Sequence, residues 1–258
     1  MGCSRVLEAD MTDLLLKADG LCKHFGALQV CNNLHLGVEK GELHGLIGPN
    51  GAGKTTVLNL ISGLLTPDDG KLFLAGCDIS RTSVHHRARL GLARAFQVTS
   101  LFNSSTVLEN LSMAVQAHQG KGFHFWSNAA RDRQILEPAS AVMERMGLAD
   151  RGNIPAGSLS HGERRQLEMG MALATQPAML LLDEPMAGLG PGGSLKLSEL
   201  ISDLKGEITI LLVEHDMQAV FSLADRISVL VQGEVVATDT PDAIRKNKLV
   251  QEAYLGGT

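Results

Sequence analysis

Gly48-Pro49-Asn50-Gly51-Ala52-Gly53-Lys54-Thr55-Thr56 decides the reading of this chain. The stretch fits G-x-x-x-x-G-K-[ST], a loop that wraps its backbone around phosphate. An apolar segment, Leu43 to Ile47, runs into it, and an amphipathic segment, Val57 to Leu65, leaves it. Strand, loop and helix therefore follow in the order the motif needs. Glycines let successive N–H groups close on an anion, and the helix start adds partial positive charge. Lys54 is the point charge for β- and γ-phosphates, and Thr55 offers a hydroxyl to Mg²⁺. The motif implies a nucleoside triphosphate and leaves the class of reaction open.

Working outward, Leu14–Ala18 reads as a short strand, Lys23-His24-Phe25-Gly26 as a turn and Val30–Val38 as a strand. Pro67-Asp68-Asp69-Gly70 is a turn before strand Lys71–Ala75, Thr82–Arg89 is helical, and Leu92–Phe96 is a strand ending at Gln97. The character then changes. Thr106–Gln116 and Ala129–Met146 carry apolar residues at helical spacing, on either side of an aromatic patch, Gly120–Asn128, that holds Trp126. Ser160 with Glu163 three residues on predicts a capping box at the start of one more helix.

Beyond Pro177, Ala178–Leu182 and Ile208–Val213 are continuous apolar runs, as buried parallel strands are. The first ends in Asp183-Glu184, the second in Glu214-His215-Asp216. Leu195–Leu204 reads as a helix, Asp225–Val231 and Glu234–Thr238 as a hairpin, and 240–255 as a helical tail. Parallel strands place ligands at their carboxyl ends, so Gly48–Thr56, Asp183-Glu184 and His215 converge in one crevice. Asp183, behind four apolar residues, has the pattern of a Walker B aspartate holding Mg²⁺. Glu184 is placed to accept a proton from water, and His215 to contact the γ-phosphate.

Composition narrows the classes. The 258 residues are 44% hydrophobic with 28 glycines, which suits an α/β protein with many tight turns. A net charge of −5 with one Trp and one Tyr argues against nucleic acid as a partner. Cys3, Cys22, Cys31 and Cys77 lack metal-type spacing and read as reduced cytosolic thiols. No signal peptide is expected, and no run approaches the ~18 apolar residues of a membrane span, so any membrane role is peripheral. His85-His86-Arg87 and Arg164-Arg165 read as solvated faces.

Leu159-Ser160-His161-Gly162-Glu163, lying after the helical stretch and shortly before Asp183, resembles the signature motif of ATP-binding-cassette ATPases. The likeness spans about residues 14–238. It implies an α/β fold: a P-loop NTPase core of the cassette type with an antiparallel β part and an inserted α-helical subdomain. The expected division is one cassette over 1–258, with the nucleotide-binding core at 13–99 and 177–239. The helical signature subdomain falls at 100–176 and the C-terminal tail at 240–258. The cofactors implied are ATP and Mg²⁺. Phe25 resembles the aromatic that stacks on adenine, Gln97 the Q-loop glutamine that reaches Mg²⁺ and the attacking water, and His215 the switch histidine. Gly48, Asn50, Gly51, Ala52, Gly53, Lys54, Thr55 and Thr56 cradle the phosphates. Ser160 and Gly162 serve the nucleotide of a second cassette paired head to tail. Three positions depart from the usual pattern: His161 often Gly, Glu163 usually Gln, and Gly190 commonly Asp.

Arg94-Ala95-Phe96-Gln97, Thr106-Val107-Leu108-Glu109-Asn110, Gly162-Glu163-Arg164-Arg165-Gln166 and Ala253-Tyr254-Leu255-Gly256 resemble the ATPases of branched-chain amino-acid importers. Urea or short-amide importer ATPases share Ser158-Leu159-Ser160-His161-Gly162, and lipopolysaccharide-export ATPases share the Gly-Glu-Arg-Arg stretch. The implied partners are two integral-membrane permeases, a second cassette ATPase and, indirectly, a substrate-binding protein. The implied location is the cytoplasmic face of the inner membrane. Leu101, Phe102 and Val107 either line the groove that receives a permease helix or pack into the core of the helical insert. The reading from another class is a soluble nucleotide-gated switch protein.

Overall fold

The computed structural model describes residues 14–95, 101–120 and 132–255. Gln97, the 1–12 leader and the aromatic patch at Trp126 lie outside the described residues. Strands β1 (Leu14–Phe25), β2 (Leu28–Glu39) and β3 (Leu43–Ile47) lead to helix α1 (Lys54–Ser62). Then come β4 (Asp69–Leu74), β5 (Cys77–Asp78), α2 (Val84–Arg89) and β6 (Leu92–Ala95). Helices α3 (Val107–His118), α4 (Arg133–Arg145) and α5 (His161–Leu173) precede β7 (Met179–Asp183). The chain finishes with α6 (Pro191–Ser202), β8 (Thr209–Val213), α7 (Met217–Leu223), β9 (Arg226–Val231), β10 (Glu234–Asp239), α8 (Pro241–Lys246) and α9 (Lys248–Leu255).

Two sheets form. The antiparallel one runs β2-β1-β4-β5 and the larger one β10-β9-β3-β8-β7-β6. Among the described residues of the larger sheet, only β10 is antiparallel to its neighbour. Every residue of β3 and β8 is buried, because this sheet is covered on both faces. Alternate residues go to opposite cores: Leu180, Leu182, Ile210 and Leu212 face α3, α4 and α5, while Leu181, Leu211 and Val213 face α1 and the antiparallel sheet. Helix α1 thus sits between the two sheets, with Val57, Leu58, Leu60 and Ile61 fully buried.

Local chemistry fixes the helices. Thr106 and Glu109 form a capping box on α3, and Asn110 binds back to Phe102 and Thr106, clamping the loop before the helix. Pro138 sits within α4 and removes the N–H due to the Gln134 carbonyl, which accepts from Gln119 Nε2 at 3.0 Å instead.

The fold departs from the sequence expectations at several points. Lys23-His24-Phe25 is not a turn but the end of β1, which pairs with β2 as far as Phe25↔Leu28. Arg87 is not solvated: it is 1% exposed, and its guanidinium binds the Leu60 and Ile61 carbonyls. Those carbonyls end α1 and need donors, which is why the cation goes inside. Arg164 and Arg165 are half-buried, held by Asn103 and Glu168. Leu101 and Val107 belong to the core, and only Phe102, 51% exposed, faces outward.

Candidate functional site

Because β3, β8 and β7 are neighbours, their carboxyl ends lie side by side. Asp183 is level with Val213, and Leu46 with the same Val213 from the other side. The phosphate loop, Asp183-Glu184 and Glu214-His215 therefore leave adjacent strands at one end of the sheet.

The loop is tight where its glycines require it. A Cβ on Gly48 would stand 2.2 Å from the Leu230 carbonyl oxygen. Gly53 caps α1 at φ +105, and a Cβ there would meet the Val30 carbonyl at 2.8 Å. Ala52 is buried, Asn50, Gly51 and Thr55 are exposed, and Thr56 is half-buried. Helix α1 begins with no side-chain cap and no acidic residue in its first turn. Such a start suits an anion. Lys54 folds back over the loop, its Nζ donating to the Gly48 and Pro49 carbonyls at 2.7 and 3.1 Å. Burial pushes its ammonium below the usual range, while the Glu184 and Asp183 carboxylates pull the other way.

Asp183 is held by Arg94, whose Nη2 lies 2.8 Å from Oδ2. The other arm of Arg94 donates to Asn59 and Ser62 on α1, so β6, β7 and α1 are joined at this point. Glu184 takes φ +49, in the left-handed region, with its N–H donating to the Val213 carbonyl at 2.8 Å. His215 Nδ1 lies 3.8 Å from Glu184 Oε2 and 3.6 Å from Glu214 Oε2. Sequence reasoning passed over Glu214 and Arg94. Both carried a signal: a charged residue embedded in, or ending, an apolar parallel strand.

Among the described residues, the Thr55 hydroxyl and the Asp183 carboxylate are the hard oxygens that could hold Mg²⁺ beside the glycine loop. That fits a cation held by one carboxylate and substrate phosphates rather than an all-protein cage. Among the described residues no cluster of three or more His, Cys, Asp or Glu side chains is set to hold a metal.

Phe25 is 48% exposed at the β1–β2 hairpin, and the same hairpin brings Val30 against Gly53. Ser160 and Gly162 are at the start of α5. The Ser160 hydroxyl donates to Glu163 at 2.7 Å, and its side-chain bonds do not reach the P-loop. Arg151 grips the same Glu163 carboxylate at 2.7 Å. His161 Nδ1 lies 3.3 Å from the Gly188 carbonyl, joining the signature to the loop after β7.

The ABC transporter family pattern matches residues 31–187. The chain belongs to that family. Its members hydrolyse ATP to power transport, and this chain is an ATPase of that kind. A second pattern, branched-chain amino acid ATP-binding cassette transporter, matches residues 234–258. The chain is 40% identical over 255 residues to the high-affinity branched-chain amino acid transport ATP-binding protein LivG of Escherichia coli (strain K12), covering 95% of this chain and 99% of LivG. It is 32% identical over 243 residues to the lipopolysaccharide export system ATP-binding protein LptB of Haemophilus influenzae, covering 94% and 97%. Among solved structures, the ADP conformation of MJ1267, an ATP-binding cassette of an ABC transporter, is similar at TM-score 0.83 and 29% identity, covering 95% and 100%. Among the described residues no helix is long and apolar enough to cross a membrane.

Proposed function

We propose that this chain is the ATP-hydrolysing subunit of a membrane importer of branched-chain or other hydrophobic amino acids. The observation that carries the substrate class is the likeness of β10 and the tail, residues 234–258, to the branched-chain cassette pattern. The greater identity to LivG than to LptB favours import over lipopolysaccharide export.

The residues then take these roles. Backbone N–H groups of Gly51 to Thr56 and the Lys54 ammonium bind the phosphates, and Phe25 stacks on adenine. Thr55 and Asp183, with Gln97, would hold Mg²⁺, which supplies charge neutralisation at the β- and γ-phosphates. Glu184 accepts the proton of the attacking water and His215 donates toward the γ-phosphate. Ser160 and Gly162 face a second cassette and serve its nucleotide. ATP closes such a head-to-tail pair, and loss of the γ-phosphate reopens it. The pair sits on two permeases at the cytoplasmic face of the inner membrane, with exposed Phe102 beside the docking groove.

The test is to tag the chain, extract it gently from native membranes and identify what accompanies it. Two different permeases and a second cassette ATPase are expected, with a substrate-binding protein that takes leucine, isoleucine or valine. A urea-binding protein in its place would overturn the substrate class, and soluble partners alone would overturn the transport role.

A further inference from the structure

We propose that Glu214 is a positioning residue that ties the loop carrying Glu184 to the loop carrying His215. The inference rests on the catalytic reading of those two residues.

Glu214 follows the last residue of β8, and its side chain is 0% exposed, while those of Glu184 and His215 are 45% and 61% exposed. Among the described residues no lysine or arginine pairs with this buried carboxylate. It is satisfied by main chain instead, from two loops. Oε1 accepts from Met186 N–H at 2.7 Å. Oε2 accepts from His215 N–H at 3.0 Å and Asp216 N–H at 3.4 Å. A carboxylate buried away from water demands such donors, and bonds to an ionised acceptor are the strong ones.

The division between the oxygens gives Glu214 its role. Pro185 has no N–H, so Met186 supplies the first amide after Glu184 that can be gripped. Glu184 itself stands at φ +49, where a non-glycine residue remains only if its neighbours hold it. Its own N–H is fixed to the Val213 carbonyl at 2.8 Å, just before Glu214. On the other side, the same carboxylate fixes the backbone of His215 and stands 3.6 Å from its Nδ1. One side chain therefore anchors both loops, each on its own oxygen.

Glutamine at this position has one acceptor where glutamate has two. It fills the same volume but serves either Met186 or the His215–Asp216 pair, and its NH₂ faces N–H groups on the other side. Glu214→Gln therefore cuts the tether with little change in packing. In the full-length chain we expect kcat for ATP to fall roughly 10- to 100-fold, the scale of a small misplacement at a reacting centre. KM for ATP and the thermal shift that ATP induces should stay within about twofold, since neither loop builds the phosphate cradle. In a His215→Ala background the same change should cost less, because part of its effect passes through His215. The Met186 amide proton, bonded to a carboxylate, should move upfield in the variant.

An unchanged kcat, additive losses in the double variant, or a kcat loss matched by loss of the ATP-induced shift would each overturn the tether. Glu184→Gln measured alongside separates the two levels. If it turns over like wild type, the catalytic reading falls; if it is slow and Glu214→Gln is not, only the tether falls. Should Glu214→Gln not fold, Glu214→Asp is the substitute, with the same expected split between kcat and KM.

Discussion

Helix α1 starts at Gly53, with no side chain to cap it and no acid in its first turn. Helix α5 starts at Ser160, which forms a capping box with Glu163, an acid in the first turn. Both starts carry the partial positive charge of a helix N-terminus. At α1 that charge and its N–H groups are left for a ligand, under a lysine that the fold has already partly desolvated. At α5 the chain satisfies the charge itself. Hydrogen bonds from the Ser160 side chain and N–H, and then Arg151, hold the Glu163 carboxylate below its ordinary value. Under the proposed function the two starts are halves of two different sites. The α1 end, uncapped and beside Lys54, is open to a phosphate as it stands. The α5 end presents a serine hydroxyl already engaged with a carboxylate, so a phosphate arriving there must take the hydroxyl from Glu163, with Arg151 offsetting the negative charge.

The largest effect is expected at the open end. ATP at about 100 Kd stabilises a protein by about 2.7 kcal/mol, which for a chain of this size is a rise of about 5–10 °C in Tm. Lys54→Ala should lose most of that rise in a thermal melt with ATP. A variant that kept it in full would erase the distinction between the two helix starts.

A smaller effect sharpens the closed end. Glu163→Gln keeps a capping-box residue but removes the charge. A lowered carboxyl pKa stabilises the fold above the ordinary value of 4.5, and that contribution is lost as pH falls through the folded value. Wild type should therefore be the more stable by about 0.5–1 kcal/mol at pH 7, with the gap closing below pH about 4.5. Denaturant titrations at the two pH values read it directly. A gap independent of pH would mean that the carboxylate charge has no part in capping α5.

What was legible in the sequence was what short-range chemistry determines. Leu43–Ile47 ran into the glycine loop as a strand should, and Ser160 with Glu163 announced the capping box, since both patterns act within a few residues. The apolar runs before Asp183 and before Glu214-His215 gave buried parallel strands, and from them the crevice. The hidden features depend on partners far away in the chain. Arg87 is buried because the carbonyls ending α1 lie 26 and 27 residues earlier, so nothing beside it announces the burial. Lys23-His24-Phe25 looked like a turn because polar residues precede Gly26, yet pairing with β2 extends the strand. Apolar residues after Gln97 suit a docking groove or core packing equally, and only the fold decides that Leu101 and Val107 are core. Glu214 is visible in the sequence as a charge ending an apolar strand, but its role depends on a loop 28 residues away.

Under the proposed function the α1 phosphate site is completed by the α5 start of another cassette. Sedimentation of Glu184→Gln, which should bind ATP and hydrolyse it slowly, tests this most directly. With the second cassette ATPase of the membrane complex present, ATP and Mg²⁺ should give a species of two paired cassettes, and ADP single chains. The same single-chain mass with ATP as with ADP would contradict it.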